Sequence, residues 1–372
     1  MLNLNVETMK KYFMSFVCAV LTVAGVFFSS CSDVSKTMEE LPLEPLEGKL
    51  IMPDKDCLNS YPRFITKNFW LSKVYNKNVN CCICIQKGDS LLKKCDAFFK
   101  GRSRDEFDAV SVALTPNRDL GVLNCSSNGN QLLSFSIVAK EDYLKWDFAK
   151  CNRFSLTKLP SLRYVSNSFQ VLDDSNILIP GAPYAQIGHI FSVIDYKKNA
   201  IKVLDFWPKD NFIGDSLSKH SVYTDNSMIF KSKNKFLYLC GWERYAFIFS
   251  IDKNKVNVES ELFSVLPKYK EAPYGNYELL ENSGKRLGAD ANDDAICFLM
   301  VEKNLYGKKP KNYMESQYGN EVQVYDWNGN PIRRLLLDKV GSSIKLSVDK
   351  KKLYLFAENP QTKNEEIWEY DL

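Results

Sequence analysis

From about residue 60 to its end, the chain places apolar positions in short runs broken by Asn, Asp, Gly and Lys. Alternation inside those runs, as in Ile190-Phe191-Ser192-Val193-Ile194, predicts strands with one buried and one wetter face. Phe236-Leu237-Tyr238-Leu239 and Leu353-Tyr354-Leu355-Phe356 do not alternate, which predicts inner strands buried on both faces. Helical spacing is confined to one short stretch, Glu141 to Ala149.

One unit recurs: an alternating strand that ends on an acidic or polar residue, then a turn, then another short strand. It reads Ile194-Asp195-Tyr196-Lys197-Lys198-Asn199, Ser250-Ile251-Asp252-Lys253-Asn254 and Val324-Tyr325-Asp326-Trp327-Asn328-Gly329-Asn330. Weaker copies are Cys84-Ile85-Gln86-Lys87-Gly88-Asp89, Leu133-Ser134-Phe135-Ser136 and Trp368-Glu369-Tyr370-Asp371. Six copies, roughly 45 to 75 residues apart, predict an all-β, six-bladed β-propeller with four-stranded antiparallel blades. A ring answers a physical need, because each blade alone would expose two strand edges and an apolar face. Leu372 ends the third strand of the last blade, so Gly48-Lys49-Leu50-Ile51-Met52 is the expected N-terminal strand closing that blade.

With these elements placed, the chain from about residue 47 resembles the TolB-like six-bladed propeller lipoproteins. Ser90-Leu91-Leu92-Lys93-Lys94 followed by Gly101-Arg102-Ser103-Arg104-Asp105-Glu106-Phe107 resembles their connection after the first blade. Ser103 and Asp105 stand where that connection is richer in glycine. Asn320 through Pro331 is similar to their fifth blade, and Lys352 through Leu372 to their last. The resemblance implies the fold; it supplies no catalytic residues.

The first thirty residues read as an export signal. Lys10 and Lys11 precede an uncharged apolar run from Tyr12 to Phe28, and Phe28-Ser29-Ser30-Cys31 sets small residues directly before a cysteine. A thiol there is the nucleophile that accepts a diacylglycerol, so Cys31 is the expected lipidation site, with Phe28 where an aliphatic residue is usual. The competing reading is an uncleaved anchor, since the run approaches spanning length. The expected organisation is signal peptide 1–30, lipidated Cys31 with a flexible Pro- and Glu-containing tether 31–46, and propeller 47–372. The expected address is the cell envelope, on the outer membrane, facing periplasm or surface, with membrane contact through the lipid alone.

Composition adjusts this picture. Aromatics reach 13%, which suits pleated, half-buried surfaces, and net charge is only +4 with both signs dispersed, which speaks against nucleic acid. Eleven cysteines include Cys18 in the signal and Cys31, leaving an odd nine. Cys81, Cys82 and Cys84, with Cys95, can be read as a zinc site. The preferred reading is a strand in which Cys82 and Cys84 share a face as small hydrophobes, because zinc spacing and a nearby histidine are lacking. Asp290, Asp293 and Asp294 lack the glycine and distal glutamate of an EF-hand and read as a turn. Of the two histidines, His189 and His220, His189 opens an alternating strand and can be read as a channel-facing base; the preferred reading is structural, since no Ser or Cys nucleophile motif accompanies it. No cofactor or metal is expected, and no catalytic residue is assigned.

Ligand-binding candidates come from loops that the propeller reading gathers on one face: Tyr184, Trp242, Arg244, Tyr306 and Tyr318. Trp242-Glu243-Arg244-Tyr245 sets aromatics around a guanidinium, and the long loop 304–319 adds tyrosines among lysines. The function expected is a binding or scaffold module for a protein or glycan partner in the envelope. The alternatives are a hydrolase or lyase working in the central channel and a purely structural subunit.

Overall fold

A computed structural model describes residues 37–53, 57, 60–74, 78–101, 106–126, 131–163, 168–280, 287–301, 318–348, 351–358 and 365–372. Four sheets follow one another as up-and-down antiparallel meanders. Sheet A holds Ala109–Leu114, Leu120–Cys125, Leu132–Val138 and Asn152–Ser155; sheet B holds Gln170–Val171, Asn176–Pro180, Phe191–Asp195 and Ala200–Val203. Sheet C holds Met228–Ser232, Lys235–Leu239, Tyr245–Asp252 and Lys255–Ser264; sheet D holds Gly288–Ala291, Ile296–Met300, Gly319–Tyr325 and Pro331–Gly341. Eight more strands form sheet E, in the order Ser343–Leu346, Lys352–Glu358, Glu365–Asp371, Lys49–Pro53, Ser90–Phe99, Val79–Lys87, Trp70–Val74 and Ser60–Ile65.

The sheets pack face to face around a ring. Phe135 and Leu123 of sheet A share a core with Ile177 and Ile179 of sheet B; Leu178 and Phe191 of sheet B face Tyr238 and Phe247 of sheet C. Leu237 and Ile248 then meet Phe298 of sheet D, and Cys297 and Val322 meet Leu353 and Leu355 of sheet E. The other end of sheet E packs Leu71 and Ile83 against Leu120 and Val122 of sheet A, which completes the circuit. Sheet E also folds on itself, with Trp70 edge-on to Tyr354 at 4.8 Å. The innermost strands of all five sheets line one central cavity. This is a β-propeller, and the inner strands expected from their unbroken apolar runs, Lys235–Leu239 and Lys352–Glu358, lie inside it.

The recurring turn has a physical cause. Asp195 accepts N–H bonds from Lys197 and Lys198 at 3.1 and 3.0 Å, and Asp326 accepts from Asn328 and Asn330 at 2.8 Å each. In these turns Asn199, Lys253 and Gly329 take φ of 52°, 58° and 88°, the left-handed region that lets a short hairpin reverse. The acidic residue thus satisfies the backbone donors that the reversal strands.

The expected closing strand is present. Lys49, Leu50 and Ile51 pair antiparallel with Glu369, Trp368 and Ile367, and Met52 pairs parallel with Ser90. The tether boundary is corrected. Leu43–Leu46 lies parallel against Arg334–Leu337 at the outer edge of sheet D, and Met38 is buried in the core between sheets C and D. Pro42 and Pro45 suggested a linker, yet proline is compatible with an edge strand, where one side of the backbone needs no partner. Two helices differ from expectation. The stretch near Glu141 makes only α1, Lys140–Tyr143, and a nine-residue helix, α2, Ser216–Thr224, lies where no helical spacing was expected. Its start was legible in Asp215, whose carboxylate accepts from the amides of Leu217 and Ser218 at 2.7 and 2.9 Å.

Candidate functional site

Where the side chains of the innermost strands do not fill the centre, a cavity of about 1170 Å³ remains. Its wall includes the apolar side chains Phe64, Val112, Phe169, Phe230, Ile344 and Phe356 alongside polar and charged groups. Cations outnumber anions among the lining side chains: Arg63, Lys73, Arg118, Lys231, Lys233 and Lys345 against Asp290, Asp293, Glu365 and Glu366.

Asp290 and Asp293 each join two sheets, and Glu366 accepts from the Trp368 indole at 3.1 Å. Asp290 receives Lys345 Nζ at 2.9 Å and the Leu346 amide at 2.7 Å, stitching sheet D to sheet E. Burial pushes its carboxyl above the usual range despite the lysine. Asp293 receives Arg118 at 3.2 Å, tying a turn of sheet A to a turn of sheet D 175 residues away. Asp290 thus lies in the strand Gly288–Ala291, and the turn expected of these residues is made by Asp293 and Asp294 after it. Burial lowers the Lys73 ammonium, and Arg63 beside it lowers it further; burial likewise lowers Lys231, whose Nζ donates to the Val171 carbonyl at 3.1 Å. Desolvated cations facing a cavity are costly, and an anionic guest would relieve that cost.

Against the core between sheets B and C packs a cap that the sequence did not reveal. It is made of α2 and the hairpin Tyr269–Ala272 with Asn276–Leu279, inserted after sheets B and C. An ion pair buried beneath it joins Lys219 Nζ to Asp210 Oδ1 at 2.6 Å, while the hydroxyls of Tyr223 and Tyr269 both donate to Asp210 Oδ2 at 2.9 Å. His220 is fully buried, its two ring nitrogens 3.0 and 3.1 Å from the carbonyls of His189 and Arg163. Burial drives its imidazolium down to about 4.

The predicted binding residues separate. Tyr318 lines the cavity. Trp242 is half-buried against the core between sheets B and C, with its ring edge-on to Tyr277 of the cap hairpin at 6.0 Å. Arg244 donates to the Val301 carbonyl at 2.5 Å, and its own carbonyl accepts the Val265 amide at 2.9 Å, so it bridges sheets C and D. Tyr184 is 44% exposed in a 3-10 turn between sheet-B strands. Tyr306 and Cys31 lie outside the described residues. What sequence reasoning missed is the cationic inner wall, since Arg63, Lys73 and Lys231 sit singly on short strands and make no local motif.

The cysteines follow the strand reading: Cys82 and Cys84 enter one core cluster and Cys81 the opposite one. No disulfide joins the described cysteines, and no group of metal-ligating side chains is gathered among the described residues. Cys57, unremarked in the sequence, sits 2.9 Å from Cys84, sulfur to sulfur.

No protein-family model matches the chain, and no curated protein does. Among solved structures it is similar to the β-propeller domain of Cps50 (Swd1) from Myceliophthora thermophila, with 11% identity, 86% of this chain and 99% of that one covered, and a TM-score of 0.42. It is similar to an auxiliary nutrient binding protein from Bacteroides thetaiotaomicron, with 8% identity, 89% and 76% coverage and a TM-score of 0.44. A member of the DUF4221 family from Bacteroides vulgatus gives 11% identity, 89% and 97% coverage and a TM-score of 0.49.

Proposed function

We propose that this chain is a lipid-anchored envelope protein whose propeller serves as a binding module for an acidic or sulfated glycan, or a protein segment of like charge. Sheet E counts as two blades latched through Lys49–Pro53, which makes the ring six-bladed, in keeping with the TolB-like resemblance. The observation that carries the functional reading is the cavity lining. Cations outnumber carboxylates there, and Asp290 and Asp293 are already paired with Lys345 and Arg118. A hydrolase or lyase centre built on a histidine would want one beside the channel carboxylates, and neither His189 nor His220 lines the cavity. His220 is instead buried with both ring nitrogens against carbonyls, which fits a structural part.

Titration of the full chain with sulfated and unsulfated forms of one oligosaccharide tests the reading. The sulfated form should bind, more weakly as salt rises, and Tyr318→Ala should weaken it by roughly tenfold while melting stays unchanged. Equal affinity for both forms, or binding indifferent to salt, would refute it. The anchor is tested separately in cells: Cys31→Ala should abolish incorporation of a fatty-acid analogue and release the protein from membranes, and unchanged label would exclude Cys31 as the acylated residue.

A further inference from the structure

Cys57 lies four residues beyond the closing strand Lys49–Pro53, and Cys84 lies in Val79–Lys87 of the same sheet. Their sulfurs are 2.9 Å apart, closer than unbonded thiols normally rest and about 0.9 Å beyond a disulfide bond. Cys82 stands 3.7 Å from Cys84 on the same strand face. All three belong to the core where the two ends of sheet E meet, with Ile51, Trp70 and Tyr354. Cys57 differs from the other two, because it also lines the central cavity. Cys57 is itself only 2% exposed, but on the cavity side it stands ahead of Cys84, which does not line the cavity.

We propose that Cys57 and Cys84 form an oxidative cross-linking site, closed by exchange with a disulfide that enters the channel. The Cys57 thiolate attacks the incoming disulfide, forming a mixed disulfide and releasing one thiolate. Cys84 then attacks the Cys57 sulfur, its proton passing to the departing sulfur, so the reagent leaves as two thiols and the protein is oxidised by two electrons. The order of attack follows from the surroundings. The neighbouring Cys57 and Cys82 sulfurs, with burial, favour the thiol form of Cys84, which lies behind Cys57, so the first attack falls to the cavity-lining Cys57. The bond would close a loop of about 28 residues and staple the chain beyond the closing strand to the sheet it latches.

The experiment treats the full, folded chain with oxidised glutathione, blocks remaining thiols, and maps peptides by mass spectrometry without reduction. The expected product is two hydrogens lighter, links the Cys57 peptide to Cys84, and melts roughly 5 °C higher than the reduced form. Cys57→Ser should lose the link and the rise in melting; Cys82→Ser should keep both. If Cys57→Ser does not fold, Cys84→Ala, which leaves a small apolar side chain in the same core, takes its place with the same expectation. A glutathione adduct that persists on Cys57, a bridge between Cys82 and Cys84, unreacted thiols, or a link without any rise in melting would each overturn the proposal.

Discussion

Asp225 and His220 set two opposed pH dependences within one capped region, and replacing Asp225 with asparagine should separate them. His220 ends its titration at about 4 instead of 6.5, because burial penalises the imidazolium more than its two carbonyl neighbours favour it. Between those values the unfolded chain holds a proton that the folded chain lacks. Stability therefore falls as pH drops through the window, by about 3 kcal/mol in all, at 1.36 kcal/mol per pH unit. Asp225, one residue past α2, behaves oppositely. Burial raises its carboxyl from 3.8 to about 6, more than the Tyr277 hydroxyl, donating at 2.9 Å, lowers it. Between 6 and 3.8 the folded chain holds the extra proton, so stability is gained as pH drops, by at most about 3 kcal/mol, since solvent still reaches part of the side chain.

In the native protein the two contributions nearly cancel between pH 6.5 and 4. Asp225→Asn keeps an acceptor for Tyr277 and removes the buried charge. The variant should be more stable than the native protein at pH 7, by up to about 3 kcal/mol, and the advantage should vanish by pH 4. Urea unfolding followed by tryptophan fluorescence at pH 7, 5.5 and 4 measures the difference, and carboxylates common to both proteins drop out of it. A native-to-variant difference that stays constant across the three pH values would refute the reasoning.

Two further outcomes follow from the packing. Deleting residues through Glu47 removes the buried Met38 and the Leu43–Leu46 edge strand, and should cost about 2 to 4 kcal/mol by calorimetry. Extending the deletion through Pro53 also removes the fully buried Ile51 and the closing strand, and should lower melting far more; equal melting of the two truncations would mean that the ring closes elsewhere. Trp242→Ala should behave as a packing defect, losing about 2 kcal/mol in urea unfolding through its contacts with Tyr277 and the core, and a stable variant with weakened binding would contradict that role.

The architecture was legible because propeller physics repeats itself along the chain. Asp195, Asp252 and Asp326 each mark a hairpin, and unbroken apolar runs such as Phe236–Leu239 mark the strands between packed faces. The closing strand could be read because an edge left open at Glu365–Asp371 needs a partner, and Lys49–Ile51 supplies one. Two elements escaped the same logic. Leu43–Leu46 is an added edge strand that follows no blade repeat, and its prolines resemble a linker's. Helix α2 is buried along most of its length, so it lacks the polar face by which a helix is recognised; only its Asp215 cap shows.

The site was less legible, for a reason that Trp242 and Arg244 make concrete. An aromatic beside a guanidinium marks a binding surface because both groups combine large contact area with directional donors. Those same properties make them suited to joining one sheet to the next. In this ring Trp242 holds the cap hairpin through Tyr277, and Arg244 reaches across to the Val301 carbonyl. Composition alone does not distinguish the two uses, because the distinction lies in which side of the loop faces the neighbouring sheet. The cavity cations escaped for the converse reason. Arg63 and Lys73 come from one hairpin and Lys231 from a strand more than 150 residues on, and each looks like an ordinary solvated position until ring closure brings those strands round one cavity. A propeller's site is therefore written as one or two residues per blade at the inner strand. The positions to vary first are those cavity-facing cations together with Tyr318, because they share a space that ring closure alone creates.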